Sequence, residues 1–359
     1  MDVAEIKKML QAKKRTQVIS PGDYLSSGSS LLNLACTGDV KKCFLKGHYY
    51  YLVGDSQSGK TFLSLTCLAE AAINKAFDNH RFIFDNAEDG ALMDIKHFFG
   101  SKVADRIVAP NSKHDCSPVF SETIEDFYYH VDDAIKDGRP FIYILDSMDS
   151  LSSEAEKTKF QDQKKAQRKN KTITGSMGDG KAKKNSAGIR QLIPALKASG
   201  SILIVISQTR DNMGFGFEKK SRSGGHALKF YATLEIWSSC GKKIKKTVRG
   251  KDRPVGINTI LKIKKNRVNG RDRQVEVPIY YAIGFDDIGG CINYLLDENH
   301  WSLSGQTIKA PEFNFEGTKN EFIKKIESQK LENKLQSIVQ AVWDEIESAC
   351  DPGRKMRYN

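Results

Sequence analysis

The chain has 359 residues, 39% of them hydrophobic and 28% charged. That is enough apolar material for a folded core, which excludes a disordered chain. No 18-residue apolar run is present, which excludes a membrane-spanning helix. Lysine and arginine number 56 against 44 acids, a formal charge of +12, so a polyanionic partner is expected.

Residues 2–14 read as a short helix with Val3, Ile6, Met9 and Leu10 on one stripe. A turn-rich stretch follows, and residues 1–30 together read as an arm separable from the body. From His48 the pattern alternates strand and helix. Apolar runs occur at Tyr49–Val53, Phe82–Phe84, Ile107–Ala109, Phe141–Leu145, Ile202–Ile206 and Leu234–Trp237. Helical stretches such as Thr61–Lys75, Glu122–Lys136 and Ser186–Ala198 lie between them. Strands apolar on both faces and separated by helices predict an α/β core over 31–285, its mostly parallel sheet covered on both sides. Asn269-Gly270, between Ile260–Val268 and Gln274–Tyr281, predicts an antiparallel hairpin at the end of that sheet. Two segments, 157–184 and 211–225, read as loops because they are rich in charge and glycine. Residues 287–297 and 318–348 look helical, so 286–359 is expected to be a mainly helical C-terminal region.

Seven cysteines are widely spaced and form no C-x-x-C pair, which argues against a zinc ribbon. The N-terminus has no apolar signal core. A reduced, cytoplasmic protein is expected, with cysteines acting mostly as small core residues.

Gly54-Asp55-Ser56-Gln57-Ser58-Gly59-Lys60-Thr61 matches G-x-x-x-x-G-K-[ST] in full, between a strand and a helix. Such a loop folds its backbone N–H groups and a helix N-terminus around phosphate oxygens. Lys60 would reach the β- and γ-phosphates of ATP, and the Thr61 hydroxyl would hold Mg²⁺. Asp146 ends the buried strand Phe141–Leu145, where a carboxylate can hold the Mg²⁺ shell through water. Glu88, after the strand Arg81–Phe84, is placed either to orient an attacking water or simply to open a helix. Asp85 and Asp89 are rival carboxylates.

With these pieces in order, the chain resembles the RecA family of homologous-recombination ATPases, its phage UvsX-like members included. The resemblance runs from about Tyr24 to about Tyr281. It rests on SSGSSLLNLACTG, GDSQSGKT, FDNAEDGALMD, IYILDSMDSLSSEAE, ILIVISQTR, GGHALKFYATLEI and LKIKKNR. It implies a RecA-type core with an N-terminal polymerisation arm, ATP and Mg²⁺ as cofactors, and a helical filament on DNA. Residue by residue, it implies that Glu88 is the catalytic glutamate and Asp146 the magnesium aspartate. Gln208 matches the glutamine that senses the γ-phosphate and signals to the second DNA loop. Lys229 and Phe230 match the pair coupling neighbouring subunits. Lys265 and Arg267 match two lysines that reach the next subunit's γ-phosphate; the arginine is a departure that keeps the charge. Asn86 stands where relatives often carry Asp, and Asp85 would compensate by a one-residue shift. His97 and Phe98 are candidates to stack on adenine.

DNA contacts are expected from both loops. Lys164, Lys165, Arg168 and Lys169 supply sequence-independent charge, with Met177-Gly178 in the same segment. In the second loop Met213, Phe215 and Phe217 could wedge or stack between bases, while Arg210, Lys219, Lys220 and Arg222 follow the backbone. A further basic run, Lys242 to Arg253, holds Asp252 as its one acid and reads equally as a duplex guide or a solvated hairpin tip. Lys262 to Arg273 is basic as well, so the positive charge is concentrated rather than spread.

The expected function is an ATP-dependent recombinase that forms a filament on single-stranded DNA and tests it against double-stranded DNA by pairing. Mediator and single-strand-binding proteins are the further partners such a filament admits, and no membrane is involved. A ring-forming motor ATPase and a non-catalytic DNA-binding paralogue are the alternatives. Were the chain phage-encoded, its compartment would be the host cytoplasm.

Overall fold

The computed structural model describes residues 19–168, 180–211, 220–222, 226–355 and 357; at 167, 210, 211 and 220–222 it describes the backbone alone. A ten-stranded sheet forms its centre. Its strands are β1 (Tyr49–Gly54), β2 (Arg81–Asp85), β3 (Ile107–Val108), β4 (Phe141–Leu145), β5 (Ile202–Asp211), β6 (Lys220–Arg222), β7 (Leu234–Val248), β8 (Lys251–Asn266), β9 (Gln274–Tyr280) and β10 (Gly284–Phe285). The order is β10-β9-β8-β7-β1-β5-β4-β2-β3, with β6 paired to β5. All neighbours from β7 to β3 run parallel, whereas β8, β9, β10 and β6 pair antiparallel. The six parallel strands coincide with the six apolar runs of the sequence, and β8–β9 is the expected hairpin.

Period-two alternation divides the core between the two faces. Tyr50 and Leu52 of β1 point to one side together with Phe82, Phe84, Ile142, Ile144, Ile204 and Ile236. Tyr49, Tyr51 and Val53 point to the other with Ile83, Tyr143, Leu145, Leu203 and Val205. Helices α1 (Ser30–Thr37) and α2 (Lys60–Ile73) cover the first face. The second is covered by α3 (Ile124–Lys136), α5 (Gly180–Ser199) and α6 (His226–Tyr231), through Phe127, Val131, Ile189, Leu192 and Leu228. Both faces being buried explains why the strands read as apolar runs rather than alternating ones.

Three expectations change. First, the segment expected as a loop over 157–184 is helical in its described parts, with 169–179 outside the described residues. Helix α4 spans Glu154–Gln167 and α5 begins at Gly180. Ser153 accepts from the Glu156 amide while Glu156 accepts from the Ser153 amide, a capping box. Acids in its first turn and Lys164 and Lys165 in its last complement the helix dipole. Charge without apolar periodicity hid this helix, which is largely exposed and leaves Phe160 63% accessible.

Second, residues 24–30, expected as part of an arm, pack into the body. Residues 1–18 lie outside the described residues. Tyr24–Leu25 pairs antiparallel with Phe44–Leu45, Leu25 is fully buried, and Ser27 and Ser29 are buried against the start of α1. Third, the region after Phe285 is not purely helical. Between α7 (Asp287–Asp297) and the pair α8 (Lys319–Gln329) and α9 (Glu332–Ala349) lies an antiparallel meander of Ser302–Ser304, Thr307–Ala310 and Phe315–Thr318. Strands of three and four residues leave too short a pattern to read. Trp301, Phe322, Ile326, Val339 and Trp343 join the same core as α1 and α2. Asp287 fastens the join: its carboxylate accepts from the Ser30 amide and hydroxyl, both at 2.7 Å, and burial pushes its pKa up to about 6. Cys36, Cys43, Cys67 and Cys291 are buried, as small core residues should be; Cys116, Cys240 and Cys350 are exposed.

Candidate nucleotide site and nucleic-acid surfaces

β1 ends at Gly54 and α2 begins at Lys60, so residues 54–61 wrap the C-terminal edge of the sheet beside a helix N-terminus. Two glycines are required here. A Cβ on Gly54 would lie 2.1 Å from the Ser238 carbonyl oxygen. Gly59, the N-cap of α2, has φ 83°, a left-handed conformation that glycine adopts without strain. Asp55 N donates to Ser238 O and Ser58 Oγ donates to Asp55 O, which fixes the loop's curl. Ser56 and Gln57 are exposed at its crest.

Lys60 is 8% exposed, and its Nζ donates to the carbonyls of Gly54 (3.0 Å) and Asp55 (2.6 Å). Burial pulls its pKa down, and Asp146, Glu88 and Asp55 oppose this. Thr61 Oγ1 donates to Asp146 Oδ2 at 2.5 Å. Asp146 is buried; desolvation raises its pKa, with Glu88 adding to the rise while Thr61 and Lys60 lower it. A hydroxyl, a buried carboxylate and loop amides at a helix N-terminus form a donor set that fits a nucleotide phosphate with Mg²⁺.

Glu88 lies next to this set: its backbone N donates to Asp146 O at 2.9 Å. Its Oε1 accepts from Gln208 Nε2 at 2.7 Å, so two residues 120 apart in sequence meet above the sheet edge. The rivals separate. Asp85 is fully buried and accepts from Ser121 N, Ser121 Oγ and Tyr143 OH at 2.9, 2.6 and 2.6 Å. It anchors the Ser121 segment to the core and is spent there. Asp85→Ala would leave the buried Ser121 amide and Tyr143 hydroxyl unpaired, with only His130 Nδ1 beside the Ser121 hydroxyl, and a loss of about 3 kcal/mol is expected, read as a lower urea midpoint. Asp89 is exposed at φ 50°, and Asn86 Oδ1 accepts from Ala91 N, which closes the turn. Phe98 packs edge-on against Phe62 (5.4 Å), the residue after Thr61, and exposed His97 touches Phe98. That aromatic cluster, completed by Phe99 and Phe285, was not foreseen.

The expected interface residues also converge. Lys265 Nζ donates to the carbonyls of Lys229 and Phe230, both at 2.6 Å, and Arg267 Nη2 donates to Phe230 O at 2.7 Å. Both cations lie within 6 Å of the Phe230 ring, which is 62% exposed. Burial, with Arg267 beside it, pulls the Lys265 ammonium down to about 8. In register, Lys265 faces Glu235, which faces Tyr51, and Arg267 N donates to Thr233 O. Thr233 N in turn donates to Tyr49 O, at the start of β1, whereas the phosphate loop begins at its end. Five residues of strand separate the two, about 16 Å.

Of the expected DNA contacts, Lys164 and Lys165 are exposed on the last turn of α4, with Arg168 exposed at its C-cap. Lys169, Met177, Gly178, Met213, Phe215, Phe217 and Lys219 lie outside the described residues. The backbones of Arg210, Lys220 and Arg222 lie in β5 and β6, where Lys220 faces Asp211 and Arg222 faces Thr209. The basic run 242–253 forms the outer part of the β7–β8 hairpin, which turns at Arg249-Gly250, both with positive φ. Every residue from 245 to 254 is exposed. This run is therefore the tip of a two-stranded arm reaching past the sheet.

Sheet order and loop define a phosphate-loop nucleotide-binding core with an antiparallel extension. Comparisons narrow this class. The family model of the RecA N-terminal domain matches residues 133–286, a span that holds Asp146, Gln208, Lys229, Lys265 and Arg267 but not the phosphate loop or Glu88. Protein RecA of Cytophaga hutchinsonii is 28% identical over 314 residues, covering 86% of this chain and 76% of that protein. Protein RecA of Clostridioides difficile is 26% identical, covering 79% and 72%. Protein RecA of Caulobacter vibrioides is 27% identical, covering 69% and 62%, so the chain spans under two thirds of that relative's length. Over most of its length the chain is therefore similar to RecA proteins, and its residues 133–286 match the RecA N-terminal domain model. Among the described residues no helix is long and apolar enough to cross a membrane.

Proposed function

We propose that this chain hydrolyses ATP in a DNA-dependent manner, assembles head-to-tail into a helical filament on single-stranded DNA, and promotes pairing and strand exchange with duplex. The observation that carries this reading is the Gln208–Glu88 hydrogen bond. Gln208 lies on β5, three residues before the segment expected to touch DNA, and its side chain meets the carboxylate best placed to orient a water. One bond thus joins the two functions.

Lys60 and the loop amides hold the phosphates, and Thr61 with Asp146 would hold Mg²⁺, which neutralises charge on the departing γ-phosphoryl group. Glu88 accepts the proton of the attacking water. Lys265 and Arg267 stand at the opposite end of the strands from their own phosphate loop, so they serve a nucleotide held by a neighbouring copy. A contact of that kind is head-to-tail and can grow into a filament. Loss of the γ-phosphate would remove an acceptor from both cations and from Gln208, loosening the interface and the second loop together. Lys164, Lys165 and Arg168 offer phosphate contacts to the single strand, and the β7–β8 arm offers them to duplex.

The test is ATP hydrolysis with and without single-stranded DNA, followed by strand exchange. Strong stimulation is expected; hydrolysis indifferent to DNA would sink the reading. For the charged surface, Lys164→Ala with Lys165→Ala should flatten the plot of log affinity against log salt by about 1.4, from about 0.7 per contact on single strands. An unchanged slope would place the strand elsewhere.

A further inference from the structure

The turn after β4 carries a carboxylate with no role so far. Met148 N donates to Ile206 O at 2.9 Å, which carries the β4–β5 pairing one step past Asp146 and sets Asp149 against the end of β5. Asp149 Oδ2 accepts from Ser207 Oγ and from the backbone N of Gln208, both at 2.7 Å. Its Oδ1 is buried with no hydrogen-bond partner among the described residues. On the far side, Thr209 Oγ1 donates to Asp55 Oδ1 of the phosphate loop at 2.5 Å. Gln208 is therefore held at its own amide and at the next residue, and its side-chain amide projects onto Glu88.

We propose that Asp149 is a positioning residue for hydrolysis. It clamps the Gln208 backbone so that Nε2 meets Glu88, and it thereby sets how strongly DNA stimulates ATP turnover. The inference rests on the recombinase reading for its consequence, but not for the clamp itself. A strand-end amide could be satisfied by water or by the neighbouring strand. Spending a half-buried carboxylate on it, with one buried oxygen unpaired, goes beyond what folding needs. The arrangement also explains how a side chain as free as glutamine's keeps one aim: both flanking anchors are short bonds to acids fixed on the nucleotide side of the sheet.

The test uses the full chain and four variants: Asp149→Ala, Asp149→Asn, Gln208→Ala and the double Asp149→Ala/Gln208→Ala. Hydrogen exchange at the Gln208 amide should speed up about tenfold or more in Asp149→Ala. DNA-stimulated kcat should fall about tenfold there, with KM for ATP within about threefold. Asp149→Asn should stay within about threefold of wild type in both readouts, because one amide oxygen can take both bonds now made to Oδ2. In the double variant Asp149→Ala should add nothing to the loss caused by Gln208→Ala, since one acts through the other. Unchanged exchange at Gln208 in Asp149→Ala overturns the clamp. An additive loss in the double variant, or an Asn variant as impaired as Ala, overturns the positioning role. Were Asp149→Ala not to fold, Asp149→Ser, whose single short hydroxyl cannot take both bonds, would stand in for it with the same expected and overturning outcomes. Wild-type hydrolysis that ignores DNA would count against the recombinase reading, while amide exchange would still judge the clamp.

Discussion

Lys60→Ala is expected to lower ATP turnover about 10²- to 10³-fold, the range seen when one preorganised donor to developing charge is removed. The case rests on where this ammonium sits. It is nearly buried, bonded to two carbonyls of its own loop, and in the field of Asp146, Glu88 and Asp55. Burial disfavours its charge, so the site holds a cation that gains from a negatively charged ligand. Removing it should cost the fold little. The Gly54 and Asp55 carbonyls lose a partner, but a desolvated charge is removed with it, and alanine is a good residue for the first turn of a helix. The thermal midpoint should stay within a few degrees of wild type. Turnover within about tenfold of wild type, in a steady-state assay with saturating single-stranded DNA, would mean that another group holds the γ-phosphate.

Much of this molecule was legible in its sequence, and the reasons differ by element. The six parallel strands could be read because burial on both faces leaves unbroken apolar runs, and the helices between them because their apolar stripes face those runs. The phosphate loop could be read because phosphate chemistry fixes both glycines and the lysine at set spacings. Gln208, Lys229, Phe230, Lys265 and Arg267 came only through resemblance: nothing in their spacing says that Gln208 meets Glu88 or that both cations gather on Phe230. The helix Glu154–Gln167 was hidden because an exposed helix has no apolar period, although Ser153 and Glu156 stood at capping-box spacing in plain view. Asp149 was missed because its partners, the Ser207 hydroxyl and a backbone amide, carry no sequence signature. Only burial separates Asp85 from Glu88: the one is buried on Ser121 and Tyr143, and the other is exposed beside Gln208.

Glu88→Gln should separate the chemistry from the switch. Glutamine has nearly the same shape, and its carbonyl oxygen can still accept from Gln208 Nε2, so the link between the nucleotide edge and β5 survives. What would be lost is the proposed base. A positioned general base contributes about 10²- to 10⁴-fold, and turnover should fall by that much while ATP binding persists. With the γ-phosphate no longer removed, the acceptor proposed for Gln208 and for Lys265 and Arg267 of a neighbouring copy would stay in place. DNA-bound assemblies of this variant should therefore outlast those of wild type when free ATP is diluted, which light scattering would follow. Asp89→Asn is the control: Asp89 is exposed, its amide closes the turn at Asn86 O, and among the described residues no hydrogen bond ties it to β5, so a change of less than about threefold is expected. Near-normal hydrolysis in Glu88→Gln would remove this carboxylate from the reaction. Slow hydrolysis without longer-lived assemblies would leave Glu88 as the base but break the tie between phosphate removal and release.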